Sequence, residues 1–313
     1  MQLVFGTPAL IESPTPVLVV GATVPRSVAR GGAILAYRLG ADGLPGADRP
    51  EPMGLAGADE TGDRFRTSLS ASGSLALVGA PGEDVGRVRD AGAFTALRYR
   101  GSTRFTGTVL TQRSRGVAGK AEKGDRFGWA VAMADGYAAI GVPFEDGPRR
   151  DTGAVAAFRV GATSLTPIAT LTQSTRGVPG IAQAGDLFGW DVAVMRPCPG
   201  VPGILVGAPN EAIGDVGQSG SAWVLPLAGP CPTLQLAEGG RLGGAPTEMA
   251  LVGTAVTTLR TSESAGDTVV LTAPGVSEEG VLGRVLRVPA PYSGNVTTVA
   301  ENLRLRDEGT ITL

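Results

Sequence analysis

What most constrains this chain is that it repeats itself. The segment Gly124-Asp125-Arg126-Phe127-Gly128-Trp129-Ala130-Val131-Ala132 returns as Gly185-Asp186-Leu187-Phe188-Gly189-Trp190-Asp191-Val192-Ala193, and in weaker form as Gly62-Asp63-Arg64-Phe65-Arg66. The three Phe positions stand 62 and 61 residues apart. A fixed period means one supersecondary unit used several times, whose apolar surface is buried by its neighbours.

Each copy carries the same run of short strands. After the Phe-Gly element comes an apolar run that ends in small residues: Leu77-Val78-Gly79-Ala80-Pro81, Ile140-Gly141-Val142-Pro143 and Leu205-Val206-Gly207-Ala208-Pro209. A third run follows (Gly92 to Leu97, Gly153 to Phe158, Gly220 to Leu225), and then a fourth that carries Leu110-Thr111-Gln112 or Leu171-Thr172-Gln173. Two eroded copies flank these three, around Phe5-Gly6 and around Val252-Gly253-Thr254. Four short strands per repeat is the content of one β-propeller blade. The sequence therefore predicts an all-β chain: one propeller domain over residues 1–313, with five blades of four antiparallel strands at roughly 1–55, 56–115, 116–176, 177–240 and 241–313. The 48 glycines and 23 prolines far exceed the average usage of about 12 % for the two together, as a chain of many turns requires.

The Phe-Gly and Gly-Ala-Pro elements resemble the FG-GAP repeat of integrin α-subunit propellers and of many bacterial secreted proteins. The string Leu-Thr-Gln, Gly-Val-Pro-Gly, Gly-Asp-x-Phe-Gly is similar to bacterial members in particular. The resemblance implies an interaction or adhesion module, secreted or at the cell surface. It also implies calcium loops of the Asp-x-Asp-x-Asp-Gly kind between the two elements. Here the corresponding stretches, Ser70 to Ser74, Met133 to Tyr137 and Met195 to Gly200, hold at most one carboxylate each, whereas calcium takes six to eight oxygens. No metal and no cofactor is expected, and Asp135-Gly136 reads as a tight hairpin turn.

Histidine is absent, which removes imidazole bases and imidazole metal ligands. The balance of 27 basic and 29 acidic residues argues against a nucleic-acid partner, and no apolar run is long enough for a membrane span. The start, Met1-Gln2-Leu3-Val4, lacks the regions of a signal peptide, so the expectation is either a cytoplasmic chain or a secreted one whose leader has been removed. Cys198 and Cys231 pair as a disulfide or stay as two separate thiols; the sequence leaves both open.

The candidate ligand-binding residues are Trp129, Trp190, Arg66 and Asp191. The two tryptophans hold the same repeat position, and a Trp offers wide apolar area with a polar handle for a sugar ring or a peptide. Thr7 and Thr254 hold that position in the end repeats. Arg66 replaces the expected Gly. Asp191 follows Trp190 where the preceding repeat has Ala130, and the plain reading of it is a solvent-facing strand position. The Asp of Gly-Asp-x-Phe-Gly (Asp63, Asp125, Asp186) reads as a carboxylate that caps turn N–H groups or pairs with an Arg, ahead of a binding role. The acidic pairs Glu83-Asp84, Glu145-Asp146 and Glu278-Glu279 read either as loop charge paired with Arg87, Arg89, Arg149 or Arg150, or as a ring of carboxylates. The residues favour a non-catalytic module that holds a protein or glycan through loops on one face, as a monomer or an edge-paired oligomer. The other reading is an enzyme (a cyclase, lyase or hydrolase) using carboxylate, Tyr or Arg groups in a central channel. The last residues, Thr310 to Leu313, are read either as pairing with the first repeat or as leaving an edge open to a partner.

Overall fold

The second strand of the second and third repeats is a run of apolar sequence because it is covered on both faces: all six residues of Leu75–Ala80 are buried, as are Ala138 to Val142. The outermost strand is half-exposed, as Phe105–Leu110 and Leu165–Leu171 show. In the computed structural model these strands assemble into five four-stranded antiparallel sheets, with no helix among the described residues. The residues described are 5–12, 16–22, 33–45, 52–53, 68–101, 104–162, 164–260, 265–276, 282–290, 292, 296–301, 304–305 and 311–312.

The first sheet runs β1 (Phe5–Ile11), β2 (Val17–Ala22), β3 (Ala33–Arg38), β4 (Pro52–Met53). The second is β5 (Leu69–Ser72), β6 (Leu75–Ala80), β7 (Ala93–Tyr99), β8 (Phe105–Leu110), and the third is β9 (Val131–Ala134), β10 (Tyr137–Val142), β11 (Ala154–Val160), β12 (Leu165–Leu171). The fourth comprises β13 (Asp191–Cys198), β14 (Val201–Ala208), β15 (Ser221–Pro226), β16 (Leu234–Leu236), and the fifth β17 (Val256–Leu259), β18 (Thr268–Val276), β19 (Leu282–Val288), β20 (Thr297–Glu301). Within each sheet the strands lie in chain order. One sheet per repeat, five in all, fits five blades of a β-propeller.

A last pair, β21 (Arg304–Leu305) and β22 (Ile311–Thr312), forms a separate two-stranded sheet. Of the two readings of the final run, pairing with the first repeat is thus corrected: Ile311 pairs locally, with Leu305, because a short connection closes a hairpin at little entropic cost.

The chain divides into two compact units, residues 1–142 with 156–170, and residues 143–155 with 171–313. In the first, Ile11, Val17, Val19 and Ile34 pack with Leu69, Ala76, Val78 and Leu97, and Phe94 sets its ring 5.7 Å from that of Phe127 and 5.5 Å from that of Phe158. In the second, Met195, Leu205, Val224 and Leu236 pack with Val252, Val269, Leu271 and Leu286.

Successive sheets are joined through the motif that defines the repeat. Gly92 pairs in parallel with Phe127, Gly153 with Phe188, and Gly220 with Val252. Beside this bridge two glycines meet. A Cβ placed on Gly79 would lie 2.1 Å from the Gly128 carbonyl oxygen, and one on Gly207 would lie 2.0 Å from that of Gly253. The small residue of Gly-Ala-Pro therefore receives the Gly of the next Phe-Gly. Gly128 also has φ of +86°, so two independent constraints exclude a side chain there. The Asp135-Gly136 turn is as expected: both residues have positive φ, 50° and 76°, and join Ala134 to its partner Tyr137, the pattern of a type I′ hairpin. A two-residue turn carrying one carboxylate does not fit a calcium loop.

Candidate ligand-binding sites

The loops before Phe127-Gly128 and Phe188-Gly189 are each built by an Asp. Asp125 Oδ2 accepts the Glu122 N–H at 2.5 Å, and Asp186 Oδ2 accepts the Gln183 N–H at 2.5 Å. Both carboxylates are buried, at 2 % and 1 % exposure, which matches the capping role read from the sequence. The next residue, Arg126, Leu187 or Leu251, adopts a left-handed backbone with φ between 56° and 62°. This swings the chain so that Phe127, Phe188 and Val252 enter the core completely.

The residue two places on is held in a tight turn in all three repeats. The N–H of Trp129 donates to Arg126 O, that of Trp190 to Leu187 O, and that of Thr254 to Leu251 O, at 3.0, 3.0 and 3.2 Å. Both indoles are half-buried rather than sealed in the core. The guanidinium of Arg126 stands 5.5 Å from the centre of the Trp129 ring, a cation–π distance. Trp190 is supported edge-on by Phe144, 6.4 Å between centroids. Arg126 and Phe144 thus brace the two tryptophans. Arg66 lies outside the described residues.

Asp191 is not a solvent-facing strand residue. Its Oδ2 accepts the Val256 N–H at 2.7 Å and its Oδ1 accepts the Val192 N–H at 3.0 Å. It thus ties the first strand of the fourth sheet to the first strand of the fifth. Ser68, at the same repeat position, does this between the second and third sheets, its Oγ accepting the Val131 N–H at 2.7 Å. Burial lifts the Asp191 carboxyl from its ordinary 3.8 to about 6 against the pull of those two N–H donors.

The acidic pairs divide in function. Asp84 and Asp146 cap the backbone N–H of Asp90 and Asp151, each at 2.8 Å, and Arg150 pairs with Asp151 rather than with Glu145-Asp146. Glu278 and Glu279 lie outside the described residues. Glu211 holds the repeat position of Glu83 and Glu145, and its role escaped the sequence reading. It is 2 % exposed, accepts from Gln173 Nε2 at 2.5 Å and from Gln235 Nε2 at 3.4 Å, and lies against Asp186. Burial first, then repulsion from Asp186, pushes the Glu211 carboxyl from 4.5 to about 8 over the opposing pull of the glutamines, and burial raises Asp186 as well. The pair is a buried acid couple that holds a proton at neutral pH. The signal available in sequence was the recurrence of Gln112, Asp125 and Glu145 as Gln173, Asp186 and Glu211. The fifth sheet uses a different solution: Glu238, at the position of Gln173, pairs with Arg284.

Among the described residues no three acidic or cysteine side chains gather into a group that could hold a metal ion. Cys198 and Cys231 are joined as a disulfide, with Cα atoms 6.2 Å apart. It links the end of β13 to the connection between β15 and β16.

Residues 110–158 match the FG-GAP repeat family. No curated protein sequence matches the chain. Solved structures similar to it include a 6-phosphogluconolactonase, named as putative, from Bacteroides uniformis, at 10 % identity and a TM-score of 0.50, covering 96 % of this chain and 75 % of that one. Another is a mutant of the Aleuria aurantia lectin in complex with Fucα1-6GlcNAc, at 11 % identity and a TM-score of 0.43, covering 96 % and 77 %. At such identity the first likeness speaks to fold alone. Residues 110–158 thus carry the FG-GAP repeat, and the five four-stranded sheets together with the first likeness mark the fold as all-β and propeller-like.

Proposed function

We propose that this chain is a non-catalytic binding module, secreted or surface-displayed, which holds a protein or glycan ligand through the braced tryptophans Trp129 and Trp190. The observation that carries the reading is the contrast between neighbours in the motif: Phe127 and Phe188 are fully buried, while the indoles two residues on are half-buried and braced by Arg126 and Phe144. A large, rigid, partly open aromatic is the side chain most favoured as a binding anchor. The disulfide supports an oxidising compartment. The three carboxyls with raised pKa, Asp186, Asp191 and Glu211, accept hydrogen bonds from backbone or glutamine donors, which supports an architectural role for them over an acid-base one.

The test is a screen against immobilised oligosaccharides and purified proteins, followed by Trp129→Ala and Trp190→Ala. Trp129 and Trp190 lie in different compact units and are tested as separate anchors: the expected result is a ligand whose affinity falls tenfold or more in at least one of the two variants while melting stays cooperative; Trp190→Leu, which keeps an apolar contact for Phe144, separates lost binding from lost packing. A ligand whose binding ignores all three changes, or which the protein converts to product, overturns the proposal.

A further inference from the structure

A cation-rich stretch sits at a cleft in the second sheet. From Ala91 to Ala121 the chain has six cations, Arg98, Arg100, Arg104, Arg113, Arg115 and Lys120, and no Asp or Glu, within a protein of net charge −2. Two of these line a cleft of about 310 Å³, at the lower end of small-ligand sites. Its wall follows one face of the sheet through register partners: Arg98 pairs with Leu75 on one side and Thr106 on the other, and Ala96 pairs with Thr108. Ser164 and Leu165, from the hairpin between β11 and β12, complete it. Among the described residues no acidic side chain lines it.

The two guanidiniums are placed but not neutralised. Arg100 Nε donates to Thr106 Oγ1 at 3.2 Å, and Arg98 Nη2 reaches Gly161 O at 3.5 Å; neither meets a carboxylate among the described residues. The next repeat shows what a committed arginine does at the place of Arg98. There Arg159 lies over the ring of Tyr137, 5.1 Å from its centre, and Tyr137 opens its strand as Leu75 opens β6. Leucine offers no such partner, so the charge of Arg98 is left for something else.

We infer that this cleft binds an acidic sugar, one bearing a carboxylate or sulfate group. The paired guanidiniums match the planar or tetrahedral oxyanion and bond it through charge-assisted hydrogen bonds. Thr106, Thr108 and Ser164 each supply a hydroxyl that both donates and accepts, as ring hydroxyls require. Leu75 and Leu165 give an apolar surface for the ring. This site deepens the binding-module reading, yet it shares no residue with the tryptophan sites, so the two proposals fail separately.

The experiment is titration calorimetry of the full chain with D-glucuronate, N-acetylglucosamine 6-sulfate, glucose and inorganic sulfate. One of the two acidic sugars binds, more weakly as salt rises, and with no change between pH 6 and 9 because arginine keeps its charge. Arg98→Gln and Arg100→Gln each lower that affinity about tenfold or more, and Lys120→Gln, in the same stretch but outside the cleft, leaves it within about twofold. Both arginine variants keep the wild-type melting temperature within a few degrees, which rules out loss of fold. Failure of both acidic sugars to bind overturns the inference. So does equal binding of glucose, binding of inorganic sulfate as tight as that of the sulfated sugar, or insensitivity to both arginine changes.

Discussion

At the scale of single residues, the repeat is defined by the atoms it leaves out. Gly128 faces the Ala93 carbonyl oxygen at 2.2 Å from where a Cβ would stand, with a positive φ. Gly128→Ala should therefore cost more than about 3 kcal/mol, since strain and a backbone clash combine; urea denaturation reads it directly. Ala132, half-buried on the adjoining strand, should accept Ser with less than about 1 kcal/mol. Such glycines were legible in sequence, because the same type recurs where a close approach is needed. The roles of Asp191 and Glu211 were not. A carboxylate that bonds backbone 65 positions away, or glutamines 38 and 24 positions away, leaves no local trace. Of the candidate site residues, the sequence named the tryptophans by their shared position, but their bracing partners Arg126 and Phe144 appear only once the loop is folded.

At the scale of elements, strand order and turns followed from pattern: apolar runs became central strands, and Asp135-Gly136 became the expected turn. What escaped was pairing between loops. The sequence left Cys198 and Cys231 open as a disulfide or two thiols, since proline-flanked cysteines say where each lies but not whether they meet. The bond closes a loop of 33 residues, for which chain entropy gives about 4 kcal/mol. The double change Cys198→Ser with Cys231→Ser should lower stability by about 2–4 kcal/mol. Guanidinium denaturation of the variant, beside the reduced and oxidised native chain, checks it: reduction should destabilise the native chain and leave the variant unmoved.

At the scale of the whole molecule, three buried carboxyls act on folding in one direction. Glu211 goes from an ordinary 4.5 to about 8, Asp191 from 3.8 to about 6, and Asp186 is raised too. A carboxyl with a raised native pKa keeps a proton that the unfolded chain has released. Its contribution is full below the unfolded value and is lost as pH rises through the native one. The melting temperature should accordingly decline between about pH 4 and pH 8, with the Glu211 share lost last. Glu211→Gln, whose amide can both accept from Gln173 and donate to Asp186, should flatten the upper part of that decline; melting curves at pH 5 and pH 9 test it.

The meeting of glycines between successive sheets carries a further consequence for how such a chain tolerates change. The joint is main chain against main chain, so its fit is independent of what either repeat displays. In the fifth repeat the Phe has become Val252, the Asp has become Ala250 and the Trp has become Thr254, yet Gly253 still abuts Gly207. A unit with such a joint is an interchangeable part: its displayed residues can be exchanged wholesale while its mounting stays to one gauge.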